Sequence, residues 1–369
     1  MLRIHVPQPV YAPHSHERLI TPDLCRLDDR VHLFPAVYPD FAAPRPLLSL
    51  KQDGQPLDGQ DIWTGDPIAH EYTLNAPHDQ LEIAIGGREL GVYRMSRRPE
   101  LEPVYLTAAT LFKDDLAQLA SWIDFHAHHG VNRFVLYYNG TLDGILPRLS
   151  QRADLLQHDL LLIPWPYSYW VDGAPLGNEA LLAQHGDGTD ISTVRLNWHH
   201  AQHLMLNHAL IFLRGTTEYI GFFDLDEYFS VQSGDRLCDF IRAHGQDVYI
   251  FQSRWSELSS NRVPGWADDG RFLAHEAIEA ASQWEPFPHR TKYIARLDHI
   301  CSTRVHYPRL TRAAARTAVV QPELASLYHF HCFSGKAPRR GFVNPGGEWV
   351  PVHDFCMPPG LALREVSAA

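Results

Sequence analysis

Tyr219-Ile220-Gly221-Phe222-Phe223-Asp224-Leu225-Asp226-Glu227-Tyr228-Phe229 is an apolar, aromatic run that breaks on three carboxylates within four positions. The run reads as a buried strand, and the acids as its emerging end. Residues two apart in a strand face the same side, so Asp224 and Asp226 can converge on one point. Paired carboxylates repel each other unless a cation or a proton lies between them. Mg²⁺ or Mn²⁺ takes oxygen ligands and completes its shell with substrate phosphates. The stretch therefore predicts a metal–diphosphate site at the C-terminal edge of a sheet. A solvated strand end is the plainer alternative, since Asp-x-Asp is common by chance. Phe222, Phe223, Tyr228 and Phe229 weigh against it, because burying them around three acids is costly without a compensating ligand.

Outward from that stretch the chain alternates strand and helix. A strand is predicted over 104–109, then a helix to His129 stopped by Gly130, then a strand over 133–138 that runs into a turn-rich loop. A strand over 160–163 and a helix over 197–213, closed by Gly215, lead into the acidic strand. A helix over 235–243, stopped by Gly245, and a strand over 248–251 follow. This alternation argues an α/β domain with a mostly parallel sheet flanked by helices. Ligands of such sheets lie outside the carboxyl ends of the strands. Lys113, Asp114, Asn139 and Asp143 fall at such ends with Asp224, and are expected to line the nucleotide end of the crevice. Carboxylates there can accept hydrogen bonds from a uracil-type imide or from ribose hydroxyls.

Residues 1–98 have a different texture, with nine of the 27 prolines in the first 60 positions. Strand-like runs around Gly86-Gly87 signal a hairpin, so a β-rich module is expected there, with a linker over 96–100. The α/β domain would span 99–345, and 346–369 a loose C-terminal tail. The formal charge of −11 and the lack of any Lys/Arg cluster argue against a nucleic-acid partner, and Arg339-Arg340 is too short a basic run to reverse that. No window reaches the roughly twenty apolar residues of a transmembrane segment, and the N-terminus lacks a signal-peptide core. The five cysteines are scattered and odd in number, which reads as reduced thiols. The expected location is cytoplasmic, at most peripheral to a membrane. Among 23 histidines, His199 and His203 share a helical face but offer only two zinc ligands, while His126, His128 and His129 sit where imidazolium would suit a helix C-terminus.

The order of these features resembles the GT-A glycosyltransferases, and most of all glycosyltransferase family 92 and its bacterial family 2-like relatives. The residues that carry the resemblance are Lys113-Asp114-Asp115, Trp122-Ile123 with His126, Gly130-Val131, Asn139 with Asp143, Gln202 with Leu206-Asn207, and Asp224-Leu225-Asp226-Glu227-Tyr228. Lys292, His306 and His329-Phe330 are similar to later family positions. The family's Asn-Glu is Asp114-Asp115 here, and its Phe-Gly segment looks replaced by Trp255-Ser256-Glu257-Leu258. The resemblance implies a GT-A (Rossmann-like) sheet and transfer of a hexose from a nucleotide sugar, a UDP-sugar favoured, to a glycan or glycoconjugate acceptor, with inversion.

The residues fit that chemistry independently. A divalent ion on Asp224 and Asp226 would neutralise charge developing on a diphosphate leaving group. Leu327-Tyr328-His329-Phe330-His331 alternates like a strand, which brings His329, or His331 as the fallback, toward the same metal. Glu257 is the candidate base that deprotonates the acceptor, with Trp255 to stack on a sugar face; an exposed loop acid is the plainer reading. Two other functions stay open. A haloacid-dehalogenase-type phosphohydrolase would use Asp224 as nucleophile and Asp226 as acid, although Tyr228 stands where that motif has Thr or Val. A non-catalytic carbohydrate-binding protein could share the fold.

Overall fold

The computed structural model describes residues 1–11, 19–34, 48–61, 69–85, 87–167, 200–258, 265, 278–285, 290–303, 305–311, 315–330, 347–359 and 361. At its centre is an eight-stranded sheet in the order Leu2–Ile4, Asp159–Pro164, Arg133–Tyr138, Val104–Phe112, Thr217–Phe222, Lys292–Arg296, Val248–Phe251 and Thr317–Val320. Neighbours run parallel except at Lys292–Arg296, which is antiparallel to the strands on both sides. Arg133–Tyr138 is buried at every residue, as a strand covered on both faces must be. On one face, helix His200–Phe212 packs with Ala109, Val135, Tyr137, Ile220 and Phe222. On the other, helix Leu116–His128 packs with Leu106, Ala108, Phe134 and Leu136. The fold class is the one the alternation predicts, an α/β domain built on a mostly parallel sheet.

Helix Leu116–His128 starts where the Asp115 carboxylate accepts the Gln118 N–H at 2.9 Å. Gly130, at φ 88°, ends it. The histidines of its last turn do not serve the helix dipole as cations. His126 and His129 are wholly buried, and burial pushes both imidazoles down to about 3, so they are neutral. His126 stacks on Phe223 instead. Phe223 in turn folds its ring back over Gly221, where any side chain would collide with it.

A second sheet of five strands lies beside the first, in the order Glu227–Val231, Ala325–Phe330, Ser253–Leu258, Ile278–Ala281 and Trp349–Val352. The chain crosses between the sheets at residues 224–226 and again at Gln252. The acidic stretch is thus a crossing point and not the frayed end of one strand.

Ahead of the α/β domain, four- and five-stranded sheets close over Leu24, Val31, Leu50, Leu81 and Ile83. The Gly-Gly hairpin joins Gln80–Ile85 to the antiparallel Arg88–Arg94; Gly86 itself lies outside the described residues. Two strands cut across the boundaries expected at 98 and 346. Leu2–Ile4 pairs in parallel with Asp159–Pro164 at the edge of the central sheet. Trp349–Val352 pairs with Ile278–Ala281 in the second sheet. Both find partners far along the chain, and strands so short leave no local signal.

Candidate active site

Three parallel strands end on one edge of the central sheet, with Phe112 in register with Tyr138 and Ala109 with Phe222. Lys113 and Asp114 follow Phe112 directly, Asn139 follows Tyr138, and Asp224 lies two residues past Phe222. Lys113 and Asp114 are exposed. Asp114 has the left-handed φ of 61° and accepts a hydrogen bond from the Tyr138 hydroxyl at 3.1 Å. The Asn139 amide donates to the Trp165 and Tyr167 carbonyls at 2.9 and 2.8 Å, which latches its loop. Asp143 is exposed in the first turn of helix Leu142–Leu149.

Asp224 to Asp226 form a turn, so the strand period does not set their directions. The Asp224 N–H donates to Glu227 Oε2 at 2.8 Å and the Glu227 N–H to the Asp224 carbonyl at 3.1 Å. The two aspartates are held by different partners. Lys292 Nζ lies 2.7 Å from Asp224 Oδ2 and 3.1 Å from Glu227 Oε2. His329 Nε2 lies 2.8 Å from Asp226 Oδ2, and His329 Nδ1 lies 3.7 Å from Glu227 Oε1. Asp224, Lys292, Glu227, His329 and Asp226 thus form one continuous chain of alternating acidic and basic side chains. Gln118 donates to the Leu225 carbonyl at 2.9 Å and fixes the turn from below.

Strand register builds the rest. Glu227 is paired with His329 across antiparallel strands, and Trp255 with His329 across parallel ones. The Trp255 ring lies 4.2 Å from the His329 imidazole, with the Arg290 guanidinium 4.6 Å above the indole. Glu257, two residues on, leaves the same face of its strand as Trp255. It is buried and in register with Glu279, so it is not the exposed loop acid of the plainer reading. His331, the fallback to His329, lies outside the described residues, as does His199.

Burial and charge compete throughout. Burial pushes the Glu227 carboxyl up to about 7 against the pull of Lys292. Burial also raises Asp224, but the Lys292 ammonium outweighs it and leaves that carboxyl below its ordinary range. Burial opposes charge on His329, and Asp226 overcomes it, so the imidazole is raised. Burial, aided by Lys292, pushes His306 down to about 3. Asp224 is the open member, with 38 % of its side chain exposed.

The donor set suits a divalent cation. Asp226 Oδ1 is buried with no hydrogen-bond partner among the described residues, and a buried polar atom without a partner is costly. Its sister oxygen sits beside an imidazole nitrogen, and carboxylate with imidazole is a set that Mn²⁺ accepts. In the sequence Lys292 carries a family likeness but no role. The signal was there: a lone lysine opens the buried run Lys292–Arg296, and a lysine in such a place demands an acid. Another group of metal-ligating side chains, His5, Asp23 and Cys25, lies on the His200–Phe212 side of the central sheet.

The sequence profile of glycosyltransferase family 92 matches residues 102–349, about two thirds of the chain and all five residues of the charged cluster. The chain belongs to glycosyltransferase family 92. A family 92 protein of Ricinus communis is 23% identical over 158 residues, which cover 42% of this chain and 22% of the relative, so the likeness takes in under a quarter of that protein. Among solved structures, residues 1–349 of S. aureus TarS match at 12% identity and a TM-score of 0.32, over 62% of this chain and 60% of that one. Core-mannan synthase A of Aspergillus fumigatus, in its Mn/GDP form, matches at 9% identity and a TM-score of 0.26, over 53% and 60%. Among the described residues of the family 92 chain, no helix is long and apolar enough to cross a membrane.

Proposed function

We propose that this family 92 chain is a metal-dependent transferase that moves a hexose from a nucleotide sugar, a UDP-sugar favoured, to a glycan or glycoconjugate acceptor with inversion. The observation that carries the reading is the Asp226–His329 pair at the strand-end edge, with one Asp226 oxygen buried and unpartnered among the described residues. Asp226, His329 and Asp224 would hold Mn²⁺ or Mg²⁺. When bound, the cation neutralises charge on the departing diphosphate.

The chain's own groups do the rest. Lys292 keeps Asp224 and Glu227 from repelling each other and so holds the turn in shape. Lys113, Asp114, Asn139 and Asp143 line the nucleotide end, and Trp255 offers a face to a sugar. Glu257 is the base. The acceptor hydroxyl oxygen bonds to the anomeric carbon, and the bond from that carbon to the diphosphate breaks with its electron pair on the diphosphate oxygen. The hydroxyl proton passes to the Glu257 carboxylate. The β-rich sheets between Leu24 and Arg97 serve as a module beside the transferase domain, and the protein works in the cytoplasm, at most peripheral to a membrane.

A phosphohydrolase is disfavoured because the family match is to transferases and Tyr228 stands where that motif has Thr or Val. The reading is tested by incubating the chain with a panel of nucleotide sugars and glycan acceptors, with and without Mn²⁺, and assigning the product by NMR. Metal-dependent transfer with inverted anomeric configuration is expected. Retention overturns the single-displacement mechanism, and no transfer from any donor overturns the activity.

A further inference from the structure

Among the described residues, four that are not glycine hold a left-handed φ, and three of them are aspartates, whose short polar side chains tolerate it. The fourth is Arg290, at φ 47°. A strained backbone persists only where its surroundings over-determine it, and here they do. Ser253 Oγ donates to the Arg290 carbonyl at 2.6 Å. Thr291, the next residue, is tied to His306 twice, through its hydroxyl at 2.7 Å and its carbonyl at 3.1 Å. Lys292 then enters the charged cluster through Asp224 and Glu227.

The Arg290 side chain runs to the same cluster. Its guanidinium lies 4.6 Å over the Trp255 ring, and Trp255 lies 4.2 Å from His329, the partner of Asp226. Its charge also reaches His306, which is held neutral by burial first, then by Lys292, with a smaller share from Arg290. The cations here differ in what they can touch. Lys292 is 2 % exposed and occupied by two carboxylates, and the His329 imidazole faces Asp226 and Glu227. Arg290 is exposed. Stacking on an indole uses the face of a guanidinium and not its N–H edge, and that edge is a flat fork that matches two phosphate oxygens at once.

We propose that Arg290, seated on Trp255, grips the diphosphate of the nucleotide donor and stabilises the charge that collects there as the sugar leaves. The inference rests on the sugar-transfer reading of the site. No bond of Arg290 changes in the step. As the bond from the anomeric carbon to the diphosphate breaks, its electron pair goes to the diphosphate oxygen. The guanidinium stays protonated throughout and donates to the phosphate oxygens. The left-handed φ is then strain held for the sake of binding: glycine would relieve it but could not grip a phosphate.

Calorimetry of the full chain with Mn²⁺ tests this, with UDP and GDP as probes and with uridine and guanosine, which lack the diphosphate, as competitors. Arg290→Gln should weaken diphosphate binding about 10–100-fold, the worth of hydrogen bonds to a charged group, and leave nucleoside binding unchanged. Arg290→Gly should show the same loss with a melting temperature level with the wild type or above it, because the strained φ is relieved. Diphosphate affinity kept in Arg290→Gln would overturn the inference and leave the transferase reading standing. So would a lowered melting temperature in Arg290→Gly with affinity kept, since Arg290 would then only brace Trp255. A wild type that binds neither UDP nor GDP with Mn²⁺ would overturn the transferase reading and this inference together.

Discussion

Asp226–His329 and Asp23–His5 are the same pair of groups at nearly the same distance, 2.8 and 2.7 Å, in opposite settings. Asp226 keeps one oxygen unpartnered among the described residues, beside the half-open Asp224. Asp23 has neither oxygen to spare: Gln8 and Ser96 hold one, His5 and His208 the other. The first arrangement can gain and lose a partner during a reaction. The second is sealed and can only hold. Chemistry of the side chains does not separate a working site from a structural one here; access and leftover hydrogen-bonding capacity do.

The contrast predicts that changes on the acidic side cost turnover and changes on the sealed side cost stability. The largest effect should come from Glu257→Gln, which keeps the shape but cannot take a proton. Turnover should fall by about 10²–10⁴-fold with the melting temperature unchanged. Near-normal turnover would clear Glu257 of the role. Lys292→Met tests a residue that belongs to both categories, because its ammonium is buried between Asp224 and Glu227. Leaving those carboxylates unpaired should cost about 3–5 kcal/mol in urea unfolding. A loss below about 1 kcal/mol would mean the turn is held by other contacts, at the level of an exposed ion pair. The smallest change, Ser96→Ala, removes one hydrogen bond to Asp23 and should cost about 1–3 kcal/mol. Turnover at saturating donor should stay at the wild-type level, and a matching fall in turnover would erase the division between the two regions.

Much of the frame was legible because its signals are local. Gly130 and Gly245 stop helices where the sequence says they should, the latter with φ 58°. Apolar runs such as Arg133–Tyr138 are strands buried on both faces. The site was legible only where a local rule applied, as in the alternation that carries His329. Period two failed at Asp224 and Asp226 because the chain turns there to enter a second sheet. That sheet is assembled from Glu227–Val231, Ala325–Phe330 and Trp349–Val352, whose pairing no window of sequence contains. Lys292 finds Asp224, and His5 finds Asp23, by the same long-range closure.

We propose that Asp226 and His329 hold a divalent cation on which donor binding depends. Isothermal titration calorimetry of UDP-sugars, with and without Mn²⁺, tests it in wild type and in Asp226→Ala. The account predicts that Mn²⁺ strengthens donor binding in the wild type and that Asp226→Ala, still folded by circular dichroism, loses that metal-dependent part. Unchanged Mn²⁺-dependent binding in Asp226→Ala would contradict it.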